Sequence, residues 1–210
     1  MKTIPVVYED PWLLVVDKPS GLLTIPAPQK ETHTLTQILN EELRQKGVSY
    51  RLHPCHRLDR DTSGLIIYAK GKSIQKQIMA AFKNQKIKKK YIAFVQGQLK
   101  NSAGEIDKKI DGLSALTRYR ILERRRDFNI VEVIPFTGRK NQIRIHFKSI
   151  GHPIVGEDKF AYRRDFKLRF KRLCLHAKSL EFVHPITKKN IKIEIELPRD
   201  LKDFIGRYRH

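Results

Sequence analysis

Short apolar runs bounded by Pro, Gly and Ser recur along the chain, and each reads as a strand. The first, residues 12–17, lies between Pro11 and the turn Pro19-Ser20-Gly21. A helical spacing follows at Leu35, Ile38, Leu39 and Leu43. Thr34 with Gln37 forms a capping-box pattern at its start, and Gly47 stops it. Residues 26–33 before it read as a loop. A strand over residues 65–69 follows an expected turn at Thr62-Ser63-Gly64. Ile74, Ile78 and Phe82 then mark a helix with a basic outer face. Residues 91–95 and 130–134 read as strands, while 101–111 is ambiguous and stays unassigned. Residues 142–150 read as a helix burying Ile143, Phe147 and Ile150, closed by Gly151 and Pro153. Residues 181–197 predict a hairpin, because Ile191, Ile193, Ile195 and Leu197 alternate with Lys192, Glu194 and Glu196.

These elements intermix without a strict βαβ rhythm. The pattern predicts an α+β fold, a mixed, largely antiparallel β-sheet with helices packed against it. The 210 residues suit a single domain over 1–210. Neither a Walker loop nor Gly-x-Gly-x-x-Gly is present.

Charge narrows the class of partner. Lys and Arg total 43 against 22 acidic residues, a formal net charge of +21. Residues 83–90 hold five lysines and residues 118–126 five arginines. Residues 163–172 mix Arg and Lys with Phe166 and Phe170. Such a surface repels itself, and a polyanion would offset the cost, so nucleic acid is the expected partner. A membrane is not expected, since no apolar stretch is long enough to span one and the start is not a secretory signal. Cys55 and Cys174 form no disulfide framework, and the chain is expected in a reducing, cytoplasmic compartment. His53, Cys55 and His56 match no common zinc spacing, and no metal is expected there.

One segment stands apart: His56-Arg57-Leu58-Asp59-Arg60-Asp61-Thr62-Ser63-Gly64-Leu65. Its charges lie between a Pro-containing loop and a buried strand, a common place for catalytic side chains. Asp59 is flanked by Arg57 and Arg60, and nearby cations hold a carboxylate ionised. An ionised carboxylate can act as nucleophile or base, or stabilise an oxocarbenium ion. On composition alone, a charged surface turn with Asp61 and Thr62 capping local backbone is the commoner arrangement.

The order of residues resembles the signature of the RluA-type family of pseudouridine synthases: His-Arg-Leu-Asp, two variable positions, then Thr-Ser-Gly. All seven fixed positions are present. Four further stretches resemble the same family in the expected order. Val7-Tyr8-Glu9-Asp10 through Leu14-Val15-Val16-Asp17-Lys18-Pro19-Ser20-Gly21-Leu22 looks like its opening strands. Lys89-Lys90-Tyr91-Ile92-Ala93-Phe94-Val95-Gln96-Gly97 resembles the stretch carrying an active-site Tyr. Thr137-Gly138-Arg139-Lys140-Asn141-Gln142-Ile143-Arg144-Ile145-His146 resembles the stretch carrying an active-site Arg. Leu175-His176-Ala177 with His184-Pro185 looks like its C-terminal strands. Asn141 departs from the family, which usually has His there. The sequence leaves no room before Val6 for the small RNA-binding domain many relatives carry, so a catalytic domain alone is expected.

The resemblance implies an isomerase that turns uridine into pseudouridine within RNA, ribosomal and transfer RNA being equal candidates. It implies that Asp59 is the catalytic carboxylate, that Tyr91 packs against the flipped base, and that Arg144 pairs with Asp59. Asp61 falls on a variable position. Arg57 would fill the gap left by the flipped base, or simply contact phosphate. Leu175 would line the uracil pocket, or simply belong to the core. For Tyr91 the competing role is an inward-facing strand aromatic, and for Arg144 an exposed helix residue. The reaction gains and loses no atoms, so no cofactor or metal is expected, nor an obligate protein partner, and a monomer suffices. A non-catalytic RNA-binding protein would account for the charge equally well, but not for all three motif residues. An RNA glycosidase would break the same bond and release the base.

Overall fold

The computed structural model describes residues 3–26, 33–160 and 168–208. The expected loop over 26–33 and the basic run over 163–172 therefore lie partly outside the described residues. The chain divides into two compact units: Met1–Lys88 with Ser179–Ile195, and Lys89–Lys178 with Glu196–His210.

In the first unit β1 (Val6–Glu9) pairs antiparallel with β2 (Leu13–Lys18), and β2 with β4 (Ser63–Ala69). The short β3 (His53–Pro54) lies on the end of β4, opposite Ala69 and Tyr68. The hairpin arms are β9 (Leu175–Val183) and β10 (Asn190–Glu194), and the unit boundary falls within β9. Helix α1 (Leu35–Gln45) begins with the expected reciprocal cap, in which Thr34 and Gln37 satisfy each other's backbone N–H. Helix α2 (Lys72–Lys83) buries Ile78. Leu13, Val15, Leu65, Ile67, Ile78, Leu180 and Phe182 form this unit's core.

In the second unit β5 (Lys88–Gln96) pairs with β8 (Phe128–Pro135), β8 with β7 (Leu116–Arg124), and β7 with β6 (Ala103–Asp107), all antiparallel. Helices α3 (Gln142–Ser149) and α4 (Arg199–Arg207) belong to it. Phe204 of α4 packs against Phe94 and Phe128, which closes one end of the core. The expected α+β fold with a mostly antiparallel sheet is what the chain adopts.

Three local readings are corrected, and two stretches given no element turn out to hold strands. The helix expected over 142–150 ends at Ser149, and Ile150 is its exposed C-cap and not part of the buried face. Ser63 and Gly64 already belong to β4, and Gly64 holds a φ of +116° that side-chain-bearing residues avoid. Residues 101–111 contain β6. The arginine run over 118–126 conceals β7, whose outward positions carry the charges. The hairpin's second arm ends at Glu194 and not at Leu197, because Pro198 already caps α4.

Candidate active site

The loop between β3 and β4 carries Arg57, Leu58 and Asp59. Leu58 is 5 % exposed and anchors the loop, which leaves Arg57 and Arg60 exposed and Asp59 half-buried between them. Several backbone groups of this loop are held by other segments. The Thr24 hydroxyl accepts from the Leu58 N–H at 3.2 Å and donates to the Leu58 carbonyl at 3.1 Å. One side chain thus fixes the peptide planes on either side of Leu58, the second of which leads into Asp59. Lys18 is fully buried, and its ammonium donates to the carbonyls of Pro19, Leu22 and Arg60 at 2.7–2.9 Å. Gly21 N–H donates to the Arg60 carbonyl, and the Ser20 hydroxyl to that of Asp61. The Asp59 carbonyl accepts from Thr62 N–H.

The brace is itself anchored. The first N–H groups of α1, from Leu35 and Thr36, donate to the carbonyls of Leu23 and Thr24. On the other flank, His56 Nε2 accepts from Ile67 N–H at 3.0 Å, and its ring packs on Phe82 of α2. Buried Cys55 has its thiol pushed up by desolvation to about 12, which makes it an inert packing group. These contacts account for His56 and Cys55 without a metal.

Arg144 lies on α3 in the second unit and is 4 % exposed. The exposed-helix alternative is overturned. Its Nε and Nη2 donate to the two carboxylate oxygens of Glu157 at 2.7 and 2.6 Å, a parallel fork, and Asp158 approaches to 3.6 Å. Glu157 also accepts from the N–H groups of Lys159 and Phe160. It is placed by Gly156, where a Cβ would stand 1.9 Å from the Arg172 carbonyl. Asn141, the departure from the family pattern, adopts a left-handed backbone with φ 55° and ψ 22°. Asn and His are among the few non-Gly residues that tolerate this region, so either suits the position. Its side-chain oxygen faces Arg144 Nη1 at 3.4 Å.

The start of α3 is pinned to β7 by Gln142. Its amide donates to Leu116 and Thr117 and accepts from the Thr137 hydroxyl and Arg139 N–H. His146, fully buried, must donate from Nε2 to the Lys108 carbonyl, so its Nδ1 accepts from Thr117. Burial holds its pKa below the ordinary value.

Tyr91 sits on β5 opposite Val133, where the strand passes from its exposed lysine-bearing end into a stretch buried on both faces. Its ring is partly buried against the second unit's core. Leu175 is 2 % exposed within that core, and packing alone accounts for its burial. Asp59 and Arg57 therefore belong to the first unit, and Tyr91, Arg144 and Leu175 to the second.

Sequence reasoning did not single out Lys18, Ser20, Thr24 or Glu157. A signal existed for Lys18. The two-residue alternation of β2 puts it on the same face as Leu14 and Val16, where a lysine must find acceptors. Nothing local marked Glu157.

A family model described as RNA pseudouridylate synthase matches residues 12–149. An RNA pseudouridine synthase of Bacillus subtilis is 35 % identical over 98 % of this chain and 73 % of its own length. The dual-specificity RNA pseudouridine synthase RluA of Haemophilus influenzae is 36 % identical over 88 % of this chain and 89 % of its own. The solved structure of human RNA pseudouridylate synthase domain containing 4 superimposes with a TM-score of 0.85 at 25 % identity, covering 98 % of this chain and 93 % of that one. With its Asp59 loop braced and its Arg144 buried, the chain belongs to the RNA pseudouridylate synthase family, isomerases that act on RNA.

Proposed function

We propose that the chain converts particular uridines of ribosomal or transfer RNA to pseudouridine, with Asp59 as the catalytic carboxylate. The C1′–N1 bond breaks, the base turns, a C1′–C5 bond forms, and the C5 proton is lost as N1 gains one. The sugar carries positive character as the first bond breaks, and an ionised carboxylate is the group that traps or stabilises it. Tyr91 stacks on the extruded base, a contact worth about 1–3 kcal/mol. Arg144 is the cation of the site, and Arg57 fills the gap in the stack or grips phosphate. Residues 1–210 act as one catalytic domain, as a monomer in the cytoplasm, without cofactor or obligate protein partner.

The observation that carries this reading is the brace on the Asp59 loop. Lys18, Ser20, Gly21 and Thr24 immobilise the backbone on both sides of Asp59 while leaving the residue half-buried. A surface turn needs no such anchoring, whereas a reacting carboxylate does, since small misplacements cost large factors in rate. The test is a map of pseudouridine in total RNA from cells with and without the gene. Loss of one or a few discrete positions in the deleted strain is expected. An unchanged map, or release of free uracil by the purified protein, contradicts the proposal.

A further inference from the structure

Between Asp61 and Glu105 the chain has nine lysines and no acidic residue. Helix α2 lies in this stretch. At 3.6 residues per turn, Lys72, Lys76, Met79 and Lys83 fall within a stripe of about 60°. All four are exposed, and Ile78 lies buried on the opposite side. We propose that this stripe, extended by Lys86, is the track that grips the phosphate backbone of the RNA substrate. The inference rests on RNA being the substrate.

Three observations support it. First, the placement is unfavourable for the helix alone. Lys72 stands in the first turn, against the positive end of the helix dipole, and repels Lys76 one turn on, with no acid in that first turn. Second, the charges are uncompensated. Among the described residues, ion pairs hold several of the neighbouring cations: Arg118 with Glu105, Arg120 and Lys90 with Glu132, Arg125 with Glu123, Lys88 with Glu181. No such pair involves Lys72, Lys76, Lys83 or Lys86. Arg118 and Arg120 of β7 thus already have carboxylate partners within the protein, and Arg124 donates to the Leu99 carbonyl. The field of Lys72 is also felt nearby: after burial, Lys72 and Arg51 are what hold His53 below its ordinary pKa.

Third, the track runs beside the loop that carries Asp59. Gln75 of α2 donates to the Pro54 carbonyl at 2.8 Å, and Phe82 of α2 packs on His56 with ring centroids 4.5 Å apart. Phosphates held along α2 would therefore lie next to the segment that leads into the reacting carboxylate.

The experiment compares two variants with equal loss of charge: Lys72→Gln/Lys76→Gln/Lys83→Gln, and Lys90→Gln/Arg118→Gln/Arg120→Gln. Binding of the full chain to unmodified transfer-RNA and ribosomal-RNA transcripts is measured from about 50 to 200 mM salt. The α2 variant is expected to bind at least about tenfold more weakly at low salt, with the slope of log K against log salt reduced by about 2–3. The control should stay within about twofold of the parent. Pseudouridine formation at saturating RNA should survive in the α2 variant, with KM raised and kcat kept. Equal losses in both variants would reduce the effect to bulk charge and overturn the track, as would unchanged binding by the α2 variant. A parent protein that binds these transcripts through α2 and modifies neither them nor cellular RNA contradicts the proposed activity and leaves the track standing. A parent that binds no RNA overturns both.

Discussion

The loop of Asp59 and the helix of Arg144 are both rigid, but they are held in opposite ways. The loop has no regular structure of its own. It is fixed by groups about forty positions earlier in the chain, Lys18, Ser20, Gly21 and Thr24, nearly all acting on backbone carbonyls. Helix α3 is fixed by side chains, some near in sequence and some reaching back to β7, where Gln142 bonds Leu116 and Thr117 and His146 bonds Thr117. Gln142 and Thr137 close its start, and Glu157, 13 residues on, takes the Arg144 guanidinium. The loop's rigidity therefore depends on neutral hydrogen bonds and one buried ammonium, and the helix's on a buried ion pair. The first kind controls where a carboxylate sits, and the second how much free energy is lost when one member goes.

The largest effect should come from Glu157→Gln. A buried guanidinium would lose its carboxylate, and breaking a buried pair from one side costs about 3–5 kcal/mol. Urea or thermal unfolding reads this directly, and a loss below about 1 kcal/mol would place the pair among weak, solvent-screened contacts. Thr24→Val should cost less stability, about 1–3 kcal/mol for the two Leu58 groups left unpaired. Its signature is kinetic: kcat should fall roughly tenfold with KM little changed, because the carboxylate is displaced and binding is not. Thr24→Ser should restore the rate. A rise in KM at constant kcat would show that Thr24 does not position Asp59.

The smallest effect concerns His176 in the second unit. Burial first, then the charge of Arg172, holds its pKa down to about 4 from 6.5. The unfolded chain then binds the proton more readily than the folded one. The stabilising contribution is fully present above pH 6.5 and is lost as the pH falls through about 4. Unfolding free energy measured across that window should decline, and His176→Gln should flatten the decline. An identical pH profile in parent and variant would refute the assignment.

How much of this was legible in the sequence depends on the range of the interaction. The α1 cap was readable from Thr34 and Gln37, because both partners lie within one turn. The strands β2, β4 and β8 were readable as apolar runs. Strand β7 was hidden, because its outward arginines dominate the local pattern while its partners, β6 and β8, are defined only by the folded sheet. The candidate site residues were legible only through family resemblance. The physics that immobilises Asp59 joins segments too distant for periodicity to report. Periodicity left the exposed-helix alternative for Arg144 open for a related reason: helical phase put it off the Ile143 face, and its buried partner Glu157 lies beyond the helix.

The most direct test of the central claim is the rate of pseudouridine formation by purified Asp59→Asn protein on RNA from cells lacking the gene, with Asp61→Asn alongside. The substitution removes one charge from a loop whose bracing runs through backbone groups, so folding and RNA binding should persist. Asp59→Asn should form no detectable pseudouridine, while Asp61→Asn keeps the parental rate. Substantial turnover by Asp59→Asn, or loss of activity confined to Asp61→Asn, would contradict the account.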